Sequence, residues 1–125
     1  MAERIEVFQV TCPAGTAIAT PITQALSMDE GIVERIEVTV PAGPSGFMGF
    51  RLRHSSQVVI PYKGSNWVIV DDFTLTWPVE GYPTGDKWDI QMYNTDIFPH
   101  TVYLRLHINE IPSPILPALP VFVIE

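Results

Sequence analysis

Three histidines, His54, His100 and His107, with the aspartates Asp71, Asp72, Asp86, Asp89 and Asp96, are where a metal-site reading would start. None stands at a metal-site spacing. His107 falls on the outward side of an alternating run, beside Arg105 and Asn109, while His54 and His100 sit at a strand end and in a turn. The reading is of solvated structural residues. Two acidic pairs, "DD" at 71–72 and "MDEG" at 28–31, could supply the two carboxylates of a glycosidase. Both lie in turn-like segments, where aspartates bond to backbone, so general acid–base chemistry is not expected. The lone Cys12 has no histidine or basic residue near it in sequence to make a thiolate. It reads as a small buried hydrophobe. No glycine-flanked serine elbow, phosphate-cradling loop or cysteine–histidine pair occurs. The expectation is a protein that is not an enzyme and needs no cofactor.

Aromatic side chains offer the other route to a ligand. Trp88 shares its face with Ile90 and Met92, and Trp77 shares its face with Phe73 and Leu75, which marks both as core. Trp67 in "GSNW" and Tyr82 in "EGYPTG" lie by loops and are the candidates for an exposed contact, for example with a sugar ring.

These residues are carried on short strands. In "TVYLRLHINEI", Val102, Leu104, Leu106 and Ile108 alternate with Tyr103, Arg105, His107 and Asn109, a period of two with one buried and one wet face. The same rhythm runs through "RIEVFQV", "VERIEVTV", "FMGFRLRH" and "KWDIQMY", with shorter candidates in "QVVIPY", "NWVIV" and "DFTLTW". Between them stand turn signals such as "CPAG", "PAGPSG", "WPVEGYPTGD" and "NTDIFPH". "TPITQALSMDEG" is open to a helical turn or to an irregular strand crossing between sheets. About eight short strands predict an all-β fold, a single antiparallel β-sandwich of jelly-roll-like or Ig-like type.

The whole chain sets outer bounds. Its 125 residues fit one domain with its own core. One cysteine cannot make an internal disulfide, so the fold does not depend on an oxidising compartment. A net charge of −7 disfavours nucleic acid and anionic membrane surfaces as partners. "MAERIEVFQV" has no basic stretch leading into an apolar one, and no run approaches a membrane span, so neither a signal peptide nor a membrane segment is expected.

Residues 46 to 111, "GFMGFRLRHSSQVVIPYKGSNWVIVDDFTLTWPVEGYPTGDKWDIQMYNTDIFPHTVYLRLHINEI", form a sequence of marked strands. A strand with glycine and arginine leads to "VIP", a tryptophan strand with a "DD" turn follows, and "YNTD" with "HTVYLRL" closes the sheet. This stretch resembles the small β-sandwich virion proteins of tailed bacteriophages. The resemblance implies a capsid decoration or accessory protein that binds itself, as a trimer or other homo-oligomer, and binds a major capsid or other virion protein. It implies location in the virion after assembly in the host cytoplasm. It transfers no catalytic residue, and a neck or tail accessory protein shares the same pattern.

The alternation stops near Ile111, dividing a sandwich domain, 1–111, from an arm, 112–125. The arm, "PSPILPALPVFVIE", is apolar and carries prolines that rule out a central strand. In a three-residue polyproline period Pro114, Pro117 and Pro120 share one edge, Ile115 and Val121 a second, and Leu116, Leu119 and Phe122 a third. With Ile124, these residues are the expected intersubunit contact, joined by residues 1 to 8. The competing reading has "VFVIE" folding back as an added edge strand, and the competing function is a carbohydrate-binding or receptor-binding module.

Overall fold

A computed structural model describes residues 3–61, 67–85 and 87–110. Eight strands follow one another: β1 (Glu3–Cys12), β2 (Ile22–Ala25), β3 (Ile32–Val40), β4 (Met48–His54), β5 (Gln57–Ile60), β6 (Phe73–Pro83), β7 (Trp88–Asn94) and β8 (His100–Asn109). They form two antiparallel four-stranded sheets, ordered β1-β8-β3-β6 and β2-β7-β4-β5. Apart from the β4–β5 hairpin, every connection carries the chain from one sheet to the other. This alternation over eight strands is the jelly-roll arrangement.

The two inner faces are apolar because the alternating residues meet between the sheets. Val102, Leu104, Leu106 and Ile108 of β8 are fully buried, as are Ile36 and Val38 of β3, Phe50 and Leu52 of β4, and Trp88, Ile90 and Met92 of β7. Cys12 is buried too, and loss of water pushes its thiol pKa up, the behaviour of a core residue. Val33 and Ile36 share the inner face although three positions separate them. A register shift between Val33 and Arg35 absorbs the extra residue, as a bulge does.

Four local readings change. The segment open to helix or strand is a strand: β2 pairs Ile22–Ala25 with Met92–Asp89, so the β-branched Ile22 and Thr23 follow their preference. The "WPVEGYP" stretch is not a turn. β6 runs through it to Pro83 because it is an edge strand, where Pro78 and Pro83 need no partner for their missing N–H groups, and Gly81 takes the positive φ of 67°. Among the described residues of "NWVIV", 67–70, a single bridge joins Val68 to Phe50. Trp77 is half-buried rather than fully enclosed, with its ring set edge-on at 6.4 Å from Phe50, and Phe73 on the same strand is exposed.

The two ends of the sandwich are tied by polar side chains. At one end Arg4 donates to Glu6 and Glu110 and to the carbonyls of Asp29 and Glu30, while Thr84 donates to the Asp29 carbonyl. At the other, the fully buried Asn94 donates to the carbonyls of Cys12 and Phe98 and accepts the Asp96 N–H. A buried amide left without these partners would cost about 1–3 kcal/mol, so Asn94 ties the end of β1 to the β7–β8 loop.

Gly49 shows how tightly the second sheet is dressed. The Tyr93 ring lies where a Cβ at Gly49 would stand. Gly49→Ala should destabilise the protein by about 1–3 kcal/mol, since the ring must shift from a packed position. Denaturant unfolding of the variant reads this directly, and an unchanged midpoint would contradict the packing.

Candidate functional site

Three surfaces combine side chains that could act on something outside the domain. The first is the outer face of the second sheet. Strand alternation points Gly49, Arg51 and Arg53 of β4 outward, opposite Tyr93, Gln91 and Asp89 of β7. With no side chain at Gly49, the Tyr93 ring folds across it, and Trp67 sets its edge against Tyr93 at 4.9 Å. The Arg51 guanidinium then lies over Trp67, its Cζ 4.1 Å from the ring centroid, a cation–π stack. Arg51 Nε donates to Gln91 Oε1 at 2.9 Å, and Gln91 in turn donates to Thr23 Oγ1. Burial, then the neighbouring Arg53, lowers the Arg51 pKa, while Arg53 is held charged by a two-bond pair with Asp89 at 2.8 and 2.9 Å. A groove of about 280 Å³ opens beside this pair, lined by Thr23, Ala25, Arg53, Ser56, Lys87, Trp88 and Asp89. Such a face can bind; it offers a cation on an aromatic platform.

The second surface is the outer face of the first sheet. Here β3 and β8 place Arg35 opposite His107 and Glu37 opposite Arg105. His107 Nε2 lies 2.8 Å from Glu37 Oε1, and Arg35 Nη2 lies 3.2 Å from His107 Nδ1. Because arginine can only donate, Nδ1 is the acceptor there, and Nε2–H donates to Glu37. The Glu37 pKa is lowered, first by this hydrogen bond and also by the nearby charge of Arg105. His107 is buried, not wet as alternation implied, because Arg35 and Glu37 close over it from the adjacent strand. Asp96 and His100 make a similar pair at 2.7 Å, and Asp96 also accepts the Ile97 N–H. Its carboxyl pKa is lowered, mainly by His100. In both places the carboxylate is already satisfied by donors, which suits holding strands and loops in place.

The third surface is the end of the sandwich where β1, β3, β5 and β7 finish and β2, β4, β6 and β8 begin. Of the eight exposed large hydrophobic residues among the described residues, Ile18, Phe47, Ile69, Phe73, Ile97 and Phe98 lie in the loops and strand starts at this end. Ile97 is 80% exposed and Phe98 61%. The loops that carry them are firmly built: Thr95 N–H donates to the Phe47 carbonyl, Gly15 N–H to the Asp96 carbonyl, and Asp71 Oδ1 accepts from the N–H groups of Gly43 and Ser45. Apolar side chains here are held out on a rigid frame.

The sequence-derived candidates are distributed unevenly over these surfaces. Trp67 belongs to the first, half-buried, with one ring face covered by Arg51. Tyr82 stands on β6 rather than in a loop, half-buried between His54, at 4.7 Å, and Trp88, at 6.0 Å. The arm residues Pro114, Ile115, Leu116, Pro117, Leu119, Pro120, Val121, Phe122 and Ile124 lie outside the described residues. Sequence reasoning missed Arg51 and Tyr93 because alternation marks a face but not which strands are neighbours. It also passed over Phe47, Ile97 and Phe98, although "SGFMGF" and "NTDIFPH" place bulky apolar residues inside turn signals. Among the described residues no three His, Cys, Asp or Glu side chains converge as a metal site.

Comparison with known proteins bears on the architecture. No family model matches the chain, and no curated protein matches it. Solved structures do. The chain is similar to one from the X-ray structure of tomato aspermy virus, with a TM-score of 0.61, 16% identity, and coverage of 95% of this chain and 82% of that one. It is also similar to FlhE, with a TM-score of 0.52, 12% identity, and coverage of 88% of this chain and 100% of that one. The likeness is of fold. At such identities it carries no residue role across.

The two lowered carboxyl pKa values set a direction for pH dependence. Glu37 and Asp96 are ionised more readily in the fold than in the unfolded chain, whose carboxyl pKa values are about 4. Their stabilising contribution is present above that value and is lost as pH falls through their lower folded-state pKa values. Glu37→Gln combined with Asp96→Asn should therefore flatten the loss of stability below about pH 4. Thermal melts from pH 7 to 2 will show it, and an acid limb as steep as the parent's would refute the assignment.

Proposed function

We propose that this protein is a non-enzymatic structural component of a phage virion, an accessory or decoration protein that oligomerises and binds an assembled protein lattice. The observation that carries the reading is the rigid apolar end of the sandwich. Buried against a partner, each of its six large side chains could contribute about 1.5–3 kcal/mol before the cost of association, itself about 4–15 kcal/mol. One copy would therefore hold weakly or moderately, and a lattice of copies firmly.

Charge and topology lend further support. An acidic chain of net −7 is poorly suited to nucleic acid. Both sandwich ends are stapled by polar bonds, so the domain can act as a rigid unit with contact residues on its loops. β8, which precedes residues 112–125 in sequence, ends at the side of the sandwich opposite the apolar loops. At about 3.1 Å per residue the arm could span some 45 Å, enough to reach the loop end of an adjacent subunit.

Carbohydrate or receptor binding is the second reading, favoured by the stack of Arg51 on Trp67 beside Tyr93. There Trp67→Ala should abolish binding to any glycan found on an array.

For the primary reading, Ile97→Asp with Phe98→Asp alters only exposed loop positions, so the variant should fold as the parent does. Its co-sedimentation with purified particles is expected to fall about 100-fold in affinity. Removal of residues 112–125 should leave a folded sandwich with impaired assembly. Undiminished particle binding by both variants would overturn the proposal.

A further inference from the structure

Among the described residues the two sheets have four unpaired edges, and three of them are blunted in the ways that prevent strands from pairing with other chains. β2 and β5 have four residues each. β5 also carries a register shift against β4 and is followed by Pro61, and β2 is preceded by Pro21. β6 is long, but Pro78 and Pro83 interrupt its donors and its pairing with β3 shifts register. β1 differs on every count. It has ten residues, pairs with β8 from Glu3 to Cys12 without a shift, and contains neither proline nor lysine. Among the described residues nothing pairs with its other edge.

β1 also exposes apolar side chains. Ile5 is 50% and Val7 65% exposed on the outer face of the sheet, and among the described residues they are the two large exposed hydrophobic residues that do not belong to the loop end. Of its three charged residues, Arg4 and Glu6 are engaged within the subunit, since Arg4 binds Glu6 and Glu110, and Glu3 stands at the strand's start. An edge strand with this profile is a pairing surface rather than a protected border.

We propose that β1 pairs antiparallel with β1 of a second copy, joining the two four-stranded sheets into one across a two-fold axis. Such an axis, normal to the sheet, must pass between two copies of the same residue. Centred on Glu6 it would set two carboxylates face to face, which is unfavourable. Centred on Val7 it aligns residues 3–11 with their counterparts, sets Val7 against Val7 and Ile5 against Gln9, and opposes no like charges. Roughly ten backbone hydrogen bonds would form along this overlap, about the number found in a stable protein interface. The inference deepens the assembly reading, yet it uses an edge remote from the loop end, so either can fail alone.

The full chain should sediment as a dimer at micromolar concentration. Ile5→Glu with Val7→Glu places carboxylates opposite His107 and Arg105 in the subunit, leaving the fold intact, but crowds them across the axis. Its dimer should dissociate at least about 100-fold more readily, with an unchanged melting temperature of the monomer and with particle binding reduced but present. Val7→Cys should form a disulfide-linked dimer under mild oxidation, since opposed Cα atoms about 4.5–5.5 Å apart fall within disulfide range. Thr11→Cys, exposed on the same face but remote from its own counterpart, should not. A monomeric parent, a dimer indifferent to the glutamates, or equal cross-linking at positions 7 and 11 would overturn the proposal. So would a monomeric parent that dimerises once residues 112–125 are removed, because its own arm would then be the occupant of the edge.

Discussion

The apolar layer between the two sheets is the constraint from which the rest of the molecule follows. Every long strand gives one of its faces to that layer, and fully buried side chains from β3, β4, β7 and β8 fill it. Since the side-chain period of a strand is two, committing one set of residues inward commits the other set outward. The outer faces are therefore fixed in composition as soon as the core forms. Arg51, Arg53, Asp89 and Tyr93 come together on one side, and Arg35, Glu37, Arg105 and His107 on the other, because their neighbours in sequence are core residues. The jelly-roll order decides which of them meet.

The layer also determines where the surface can be apolar without harm to the fold. A strand that leaves the sandwich must turn, and the loops gather at the two ends. One end is closed by Arg4 and its four partners, the other by Asn94. Asn94 leaves Phe47, Ile97 and Phe98 outside the region it seals. Their gathering at one end of the sandwich is the kind of exposure that marks a contact surface. That reasoning supports an assembly role more strongly than the polar clusters support chemistry, because Glu37 and Asp96 already have their donors.

Much of the fold was legible in the sequence. The alternation in "TVYLRLHINEI" gave β8 its face, and the turn signals spaced the strands. The failures share a cause: they depend on neighbours from elsewhere in the chain. Pro78 and Pro83 look like breakers until β6 is known to be an edge strand. His107 looks wet until Arg35 and Glu37 are placed beside it. Val33 and Ile36 look out of phase until the bulge is seen. The candidate surfaces were less legible still, since Arg51, Trp67 and Tyr93 come from three separate segments. The apolar loop residues were visible in "NTDIFPH", but a bulky residue in a turn signal reveals its exposure only when the loops are packed.

The proposed assembly role rests on the apolar loop end meeting another protein surface. Hydrogen exchange of the protein free and bound to assembled particles addresses it most directly, because the amides of residues 41–47 and 95–99 frame the exposed side chains. The account predicts slowed exchange in both loops on the particle. Unchanged exchange there, with protection confined to the outer face of the second sheet, would contradict it.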